Sequence, residues 1–458
     1  MSVAAVFKKH YVAIIGGSIS GSEAANILAK NGFRVVVFEM NKLPYGKIED
    51  GLPKWHINLR DRQINEIDSK LDQENIQFVP ITKIGKDIDF LDLVNNWGFS
   101  AIILANGAWE DRVLPILAIN KFINKELVYQ NSFIYWFNHK HEKNYDGLNF
   151  SVKNNTIVVG GGLASLDVIK IVMIEIVKKQ LFVKKGIEVD LFTLEKEGIN
   201  TILEKFNIDF NELEIGKAKL IYRRTAKDMP LKSPKDEKKE SIEIAEKVSE
   251  KLLNKYQEKY LFEFVPFCIP VDFIEKDNKL IEIIFQKVHV ENGKIKPIKN
   301  SFLNIKTEMV ISSIGSIPEK INGLKYEYST LKMREEADYH VFGFDNVFAI
   351  GNAVTGRGNI QESKKHGHQM TEKIIDKHLT EEVFEQWLIN HNKQIRSEVA
   401  EQIDSIVKEI SDAKIQPESI IQEIIYKTDA IHNKIGFTNY KSWTHKNMPV
   451  RLEELLKE

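Results

Sequence analysis

Two stretches of this chain enter a glycine turn from a short apolar run and leave it in an amphipathic segment. The first is YVAIIGGSISGSEAANILAKNGFRVVVFE, from Tyr11 to Glu39; the second is NNTIVVGGGLASLDVIKIVMIEIV, from Asn154 to Val177. A buried parallel strand reads as a continuous apolar run, and glycines after it let a helix begin close to the strand end. In the first stretch the pattern predicts a strand over 11–16, a helix over 21–32 with Gly32 at its C-cap, and a second strand over 34–39. Its recurrence from Gly16 to Gly160 implies two doubly wound units in one chain.

Further along, IQFVP and AIILANGA read as later strands of the first sheet, and KAKLIYRR over 217–224 as a strand of the second. Residues 227–260 begin as a charged loop and continue as an amphipathic helix with a solvated face. Strands are expected over 261–274, 280–291 and 302–313, and DNVFAIGNAVTGRGNIQ returns to strand–turn–helix. From about Thr380 the chain is polar and mostly helical, with Trp387 and Trp443 as packing anchors. The segment 181–216 is longer than a strand–helix connection needs and reads as an insertion.

Composition narrows the chemistry. The 458 residues exceed one ordinary core, and 43% hydrophobic with 28% charged residues describes a globular protein. Lys+Arg 64 against Asp+Glu 65 gives no overall bias toward nucleic acid or a membrane surface. No apolar run reaches the roughly 18 residues of a membrane span. The first strand begins too near Met1 to leave room for a signal peptide, so a cytoplasmic or mature organellar matrix protein is expected. The single cysteine, Cys268, excludes an intramolecular disulfide, a redox dithiol and a four-thiolate iron–sulfur cluster. Redox chemistry would therefore depend on a bound organic cofactor.

In the first turn Gly16 permits the bend and Gly21 the close approach of helix to strand, so that N–H groups at the helix start can hold a pyrophosphate. Glu39 is placed to accept hydrogen bonds from a ribose diol; Gly17, Ser18 and Met40 belong to the same site. Ser18 stands where the fingerprint G-x-G-x-x-G has its second glycine. The second turn keeps Gly160 and Gly162 and puts the small Ser165 at the third position. Arg223 and Arg224 follow a later strand where an acid would favour NAD(H); guanidinium groups there suit a 2′-phosphate and NADP(H). An acid at one site and arginines at the other predict FAD in the first unit and a nicotinamide cofactor in the second, with hydride passing to the flavin.

The ordered series FEMNKLPYGKIEDGLPKWH, LANGA, GGGLASLD, YRR, ISSIG and VFAIGNAVTGRGNI, with FTNYKSW and MPVRLEELL in the tail, resembles the adrenodoxin-reductase type of ferredoxin–NADP⁺ reductase. It is also similar to the flavoprotein part of the glutamate synthase small subunit. The resemblance implies an α/β fold of two Rossmann-like domains. An FAD domain would be built from 1–115 and 325–458, with 380–458 a helical extension, and an NADP domain, 116–324, would be inserted into it. It implies that Gly46, Gly51 and Pro53 approach the flavin, that Gly107 lies near bound cofactor, and that Gly351, Asn352, Gly358, Asn359 and Ile360 cover the ribityl chain and ring. Gly160, Gly162, Leu163 and Ala164 would cradle the NADPH pyrophosphate. His56 matches a family histidine near the flavin, with proton or electron delivery and simple packing as its two readings. Asn352 replaces an aspartate common in related flavoproteins; it keeps hydrogen-bonding capacity but removes a charge.

The expected activity is electron transfer from NADPH through FAD to a ferredoxin-like iron–sulfur protein. Such partners are usually acidic, and Lys232, Lys235, Lys238 and Lys239, diluted by Asp236, Glu237 and Glu240, are the candidate docking surface. Two alternatives are an electron-input flavoprotein for another oxidoreductase subunit, and a degenerate flavoprotein serving as a scaffold.

Overall fold

The structure, a computed structural model, describes residues 10–457 except 233, 235, 237, 335–338 and 352–380; for 381–388 it describes the backbone alone. The first unit contains β1 (Tyr11–Ile15), α1 (Ile19–Lys30), β2 (Arg34–Phe38), α2 (Lys47–Asp50), α3 (Ile57–Leu71), β3 (Ile76–Val79), α4 (Phe90–Asn96) and β4 (Ala101–Leu104). A short strand β5 (Glu110–Asp111) leads into the second unit. That unit holds β6 (Leu127–Tyr129), α5 (Gln130–His139), β7 (Ile157–Gly160), α6 (Leu163–Lys185), α7 (Leu191–Glu197), α8 (Ile199–Lys205), β8 (Lys219–Ile221), α9 (Lys239–Tyr260) and β9 (Glu263–Val265). Then come β10 (Cys268–Lys276), β11 (Lys279–Glu291), β12 (Lys294–Lys306), β13 (Val310–Ser313), β14 (Ser316–Ile317), a small hairpin of β15 (Tyr326–Glu327) and β16 (Thr330–Leu331), and β17 (Val347–Ala349). The tail is helical: α10 (Glu381–Asp412), α11 (Glu418–Ile435), α12 (Tyr440–Asn447) and α13 (Leu452–Leu455).

Two five-stranded parallel sheets result, in the orders β17-β4-β1-β2-β3 and β6-β13-β7-β8-β9. Because β17 returns to the first sheet after the second is complete, the second unit is inserted into the first. Each strand feeds both faces of its sheet, as the two-residue period requires. Val12 and Ile14 enter one core with Leu28 of α1 and Val399 and Ile403 of α10; Tyr11, Ala13 and Ile15 enter another with Leu93 of α4 and Ile421 of α11. In the second unit Val158 packs under α6, while Ile157 and Val159 face Leu280, Ile283 and Phe285 of the antiparallel sheet β10-β11-β12.

Of the strands expected over 261–274, 280–291 and 302–313, the second is β11 and the other two need correction. The run expected over 261–274 breaks at Phe267, whose φ of 57° is incompatible with a continuous strand, giving β9 and β10. The run expected over 302–313 also divides. The Thr307 hydroxyl donates to the Met309 carbonyl at 2.7 Å and accepts its N–H at 3.1 Å, a local turn that separates β12 from β13. Trp443 is buried and donates through Nε1 to the Lys42 carbonyl at 2.7 Å, an anchor for the tail; the side chain of Trp387 lies outside the described residues.

The insertion over 181–216 has a structural task. Lys170, on α6, is 2% exposed, and its ammonium meets Glu195 of α7 at 2.7 Å. The rings of Trp55 and Tyr260 lie 4.6 and 5.1 Å from it, and the Tyr260 hydroxyl donates to the Glu195 carbonyl at 2.7 Å. Burial opposes the charge, but Glu195 holds the ammonium well above the ordinary lysine range. Removing Glu195 leaves the buried cation only the more distant Asp167, 3.9 Å away, and breaking such a buried pair costs about 3–5 kcal/mol. Glu195→Ala is therefore expected to lower the denaturation midpoint sharply, and Lys170→Met combined with Glu195→Leu to recover most of the loss. Urea unfolding of the three proteins checks this.

Candidate functional site

The first turn lies at the carboxyl edge of its sheet, where open α/β sheets bind ligands. Gly16 has φ +100°, and a Cβ there would lie 2.7 Å from the Ala105 carbonyl oxygen; a Cβ at Gly21 would lie 1.8 Å from the Gly16 oxygen. Neither position admits a side chain. Glu39 is 5% exposed, and its two oxygens accept the N–H groups of Gly17 at 2.9 Å and Asn41 at 3.0 Å. Burial pushes its carboxyl up to about 7, against the pull of the Gly17, Asn41 and Met40 N–H groups.

Ser18 caps α1 without a side-chain capping bond; its hydroxyl donates to the Tyr45 carbonyl at 3.1 Å. Across from it, Gly46 has φ +53°, and a Cβ there would lie 2.9 Å from Ser18 Oγ. The fingerprint glycine missing at 18 is thus matched by one at 46. Gly351, at φ +59°, approaches the same turn, since its Cβ would lie 2.4 Å from Ser20 Oγ. Gly107 has φ +65° and open space where a side chain would be.

Residues 44–56 join the two units. The Asn138 amide on α5 donates to the carbonyls of Glu49 and Leu52, both at 2.8 Å, and Arg451 donates to the Glu49 carboxylate at 2.8 Å. Gly51 ends α2, and the Pro53 carbonyl accepts the His56 N–H at 3.0 Å. His56 is 1% exposed; its Nε2 accepts from Trp55 Nε1 at 3.1 Å and lies 3.8 Å from Asp167 of α6. It is a buried hydrogen-bonding residue at the junction.

One cluster at this junction was not legible in the sequence. The Lys47 ammonium donates to the Ser316 hydroxyl at 3.0 Å and lies 5.7 Å from the centre of the Trp109 ring. The Asn131 side-chain amide donates to the Trp109 carbonyl at 2.9 Å and to Ser316 Oγ at 3.2 Å. Burial lowers the Lys47 ammonium to about 8 and raises the nearby Asp111 carboxyl to about 6. These groups come from four separate segments, and no local spacing marks them.

In the second turn, a Cβ at Gly160 would lie 2.2 Å from Ser165 Oγ and 2.3 Å from the Ser313 oxygen. Ser165 donates to Ser313, so this small residue ties α6 to β13. Gly162 caps α6 with open space beside it, and Leu163 and Ala164 begin the helix. A Cβ at Gly161 would lie 2.1 Å from the Tyr222 ring, so the residue before Arg223 packs directly on the turn. Arg223 is exposed and has no ion pair among the described residues. Arg224 donates through Nη2 to the Gly293 carbonyl at 2.8 Å and lies 3.9 Å from Asp228.

Asn352, Gly358, Asn359 and Ile360 lie outside the described residues, as does Lys235. Lys238 and Lys239 are exposed at the start of α9, whereas Lys232 is partly buried and burial lowers its ammonium. No described helix is long and apolar enough to cross a membrane, and the described residues hold no group of His, Cys, Asp and Glu suited to a metal ion.

No family model matches the chain. Mycobacterium tuberculosis FprA, solved in complex with NADPH, superposes with a TM-score of 0.64 at 17% identity, over 93% of this chain and 91% of that one. This chain has the FprA fold. That is the two-unit α/β architecture, with an inserted second unit and a helical tail, that the resemblance implied. The glutamate synthase [NADPH] small chain of M. tuberculosis is 34% identical over 108 residues, 23% of this chain and 21% of the small chain. The glutamate synthase [NADH] of Schizosaccharomyces pombe is 31% identical over 161 residues, 33% of this chain and 7% of that protein. The chain therefore spans about a fifth or less of each of these curated relatives.

The Glu39 geometry has a consequence for stability. Its carboxyl binds a proton more tightly folded, at about 7, than at its ordinary value of 4.5, so folding is progressively disfavoured as pH rises between these values. The full penalty, about 3 kcal/mol, is present above pH 7. Glu39→Gln lacks this titration. Its stability relative to the parent is expected to rise from pH 4.5 to 7 and then level off, as read from urea midpoints of the ligand-free proteins.

Proposed function

We propose that this chain is an FAD-dependent oxidoreductase that takes reducing equivalents from NADPH and passes single electrons to a ferredoxin-like iron–sulfur protein. The observation that carries the reading is the pairing of two glycine turns with opposite partners. A buried acid, Glu39, is bonded to the first turn, and an arginine pair is held against the second by Tyr222 on Gly161.

The first turn fits the ADP half of FAD. The carboxylate oxygens of Glu39 keep lone pairs for ribose hydroxyls beyond those used by Gly17 and Asn41. The Ser18 hydroxyl is engaged by Tyr45, which supports tolerance of serine at this position and counts against the scaffold alternative. At the second turn Gly162 leaves the start of the 23-residue α6 open to a pyrophosphate, with Arg223 and Arg224 for a 2′-phosphate. When bound, the flavin supplies the exchange between two-electron and one-electron transfer. Lys47 brings positive charge to the junction of the two units, where negative charge would develop during reduction. The loop 46–56, pinned by Asn138 and Arg451, fixes the approach of the two sites. His56 serves there as a positioning residue.

The match to part of the glutamate synthase small chain favours a second reading, in which electrons go to another oxidoreductase subunit. Anaerobic addition of NADPH to the FAD-loaded protein is expected to bleach its visible spectrum, with NADH far less effective. Cytochrome c reduction should then depend on added ferredoxin. Equal bleaching by NADH would refute the role of the arginine pair, and ferredoxin-independent turnover would favour the second reading.

A further inference from the structure

The antiparallel ribbon of β11 and β12 reaches back to the arginine pair. Both strands have 13 residues and remain paired out to Glu291 and Lys294. They are joined by Asn292 and Gly293, with φ of +50° and +73°, the two positive values of a type I′ hairpin turn. The carbonyl of Gly293 at this tip accepts Arg224 Nη2 at 2.8 Å. The root of the same sheet holds the same segment: Cys268 N–H, at the start of β10, donates to the Tyr222 carbonyl at 3.1 Å. Residues 222–224 are thus fixed at one end by the ribbon's root and at the other by its tip.

We infer that the β11–β12 tip is a specificity element for the 2′-phosphate of the dinucleotide, acting by holding Arg224 in place beside Arg223. The inference rests on the NADP(H) reading of the second turn. A carbonyl suits this task because it orients the guanidinium without cancelling its charge. The competing acid, Asp228, lies 3.9 Å from Arg224, while its other oxygen accepts the Thr225 N–H at 3.1 Å and hydroxyl at 2.5 Å. Four of the five guanidinium N–H bonds stay free of the tip contact. Arg223 is left exposed and Arg224 is held by the tip, which lowers the ordering cost of a bidentate grip on phosphate.

Deleting Val290, Glu291, Lys294 and Ile295 tests this, because Asn292–Gly293 then joins His289 to Lys296, which already face each other. Facing is preserved by removing two residues per strand, and the tip retracts by about 7 Å, beyond reach of Arg224. A second variant, Gly293→Val, keeps the length but places a β-branched residue at positive φ. Calorimetry with 2′,5′-ADP and 5′-AMP reads the preference for the 2′-phosphate in each protein. Both variants are expected to lose roughly ten-fold of that preference, the worth of one charge-assisted hydrogen bond, with 5′-AMP affinity unchanged. In an Arg224→Ala background the shortened ribbon should cost nothing further. An unchanged preference in both variants, or an additive loss with Arg224→Ala, overturns the inference while leaving the NADP(H) reading intact. A parent protein that binds both probes equally overturns both.

Discussion

The carbonyl oxygen of Gly16 occupies space that a Cβ at Gly21 would need, and Gly16 itself is pressed against the Ala105 carbonyl. Everything around the first site follows from this double approach. It brings the start of α1 to the end of β1, draws the loop after β4 over the turn, and leaves Gly17 N–H facing Glu39. The second turn repeats the arrangement, with Gly160 pressed between Ser165 and the Ser313 carbonyl. Backbone packed this closely cannot be relieved by a rotamer change, so each turn constrains its whole sheet edge.

Between the turns, the junction is polar and cross-linked. Asn138 and Arg451 hold the loop 46–56 from the second unit and from the tail, and Lys47 reaches Ser316. Such bonds need correct geometry to offset desolvation, so they specify one relative placement of the units instead of supplying bulk stability. Ser18 shows the same economy at smaller scale. The side chain that the fingerprint excludes at 18 is accommodated because Gly46 has none, and its hydroxyl finds the Tyr45 carbonyl.

Both sheets and the glycine positions were legible because local period and turn chemistry encode them; the insertion of one unit into the other was implied only by the family resemblance. The buried runs at Tyr11–Ile15 and Ile157–Gly160 have few alternatives as parallel strands. Glu39 and the arginine pair were legible from their place after strands. The Lys47 cluster, the Lys170–Glu195 pair and the contact of Arg224 with Gly293 were not. Each joins residues far apart in the chain, and partner choice there is set by packing that no local pattern records. The division of the strands at Phe267 and Thr307 is not legible for a related reason: a single positive φ and the two bonds of one hydroxyl outweigh β propensity over a whole run.

In the proposed function, the first turn binds a dinucleotide through its ADP half. Titrating the flavin-free chain with FAD and with FMN tests it directly, because FMN carries the ring, ribityl chain and one phosphate but no adenosine. FAD is expected to bind, with FMN at least about 100-fold weaker. Equal affinity for the two, or binding of neither, would contradict the assignment of Gly16, Gly21 and Glu39.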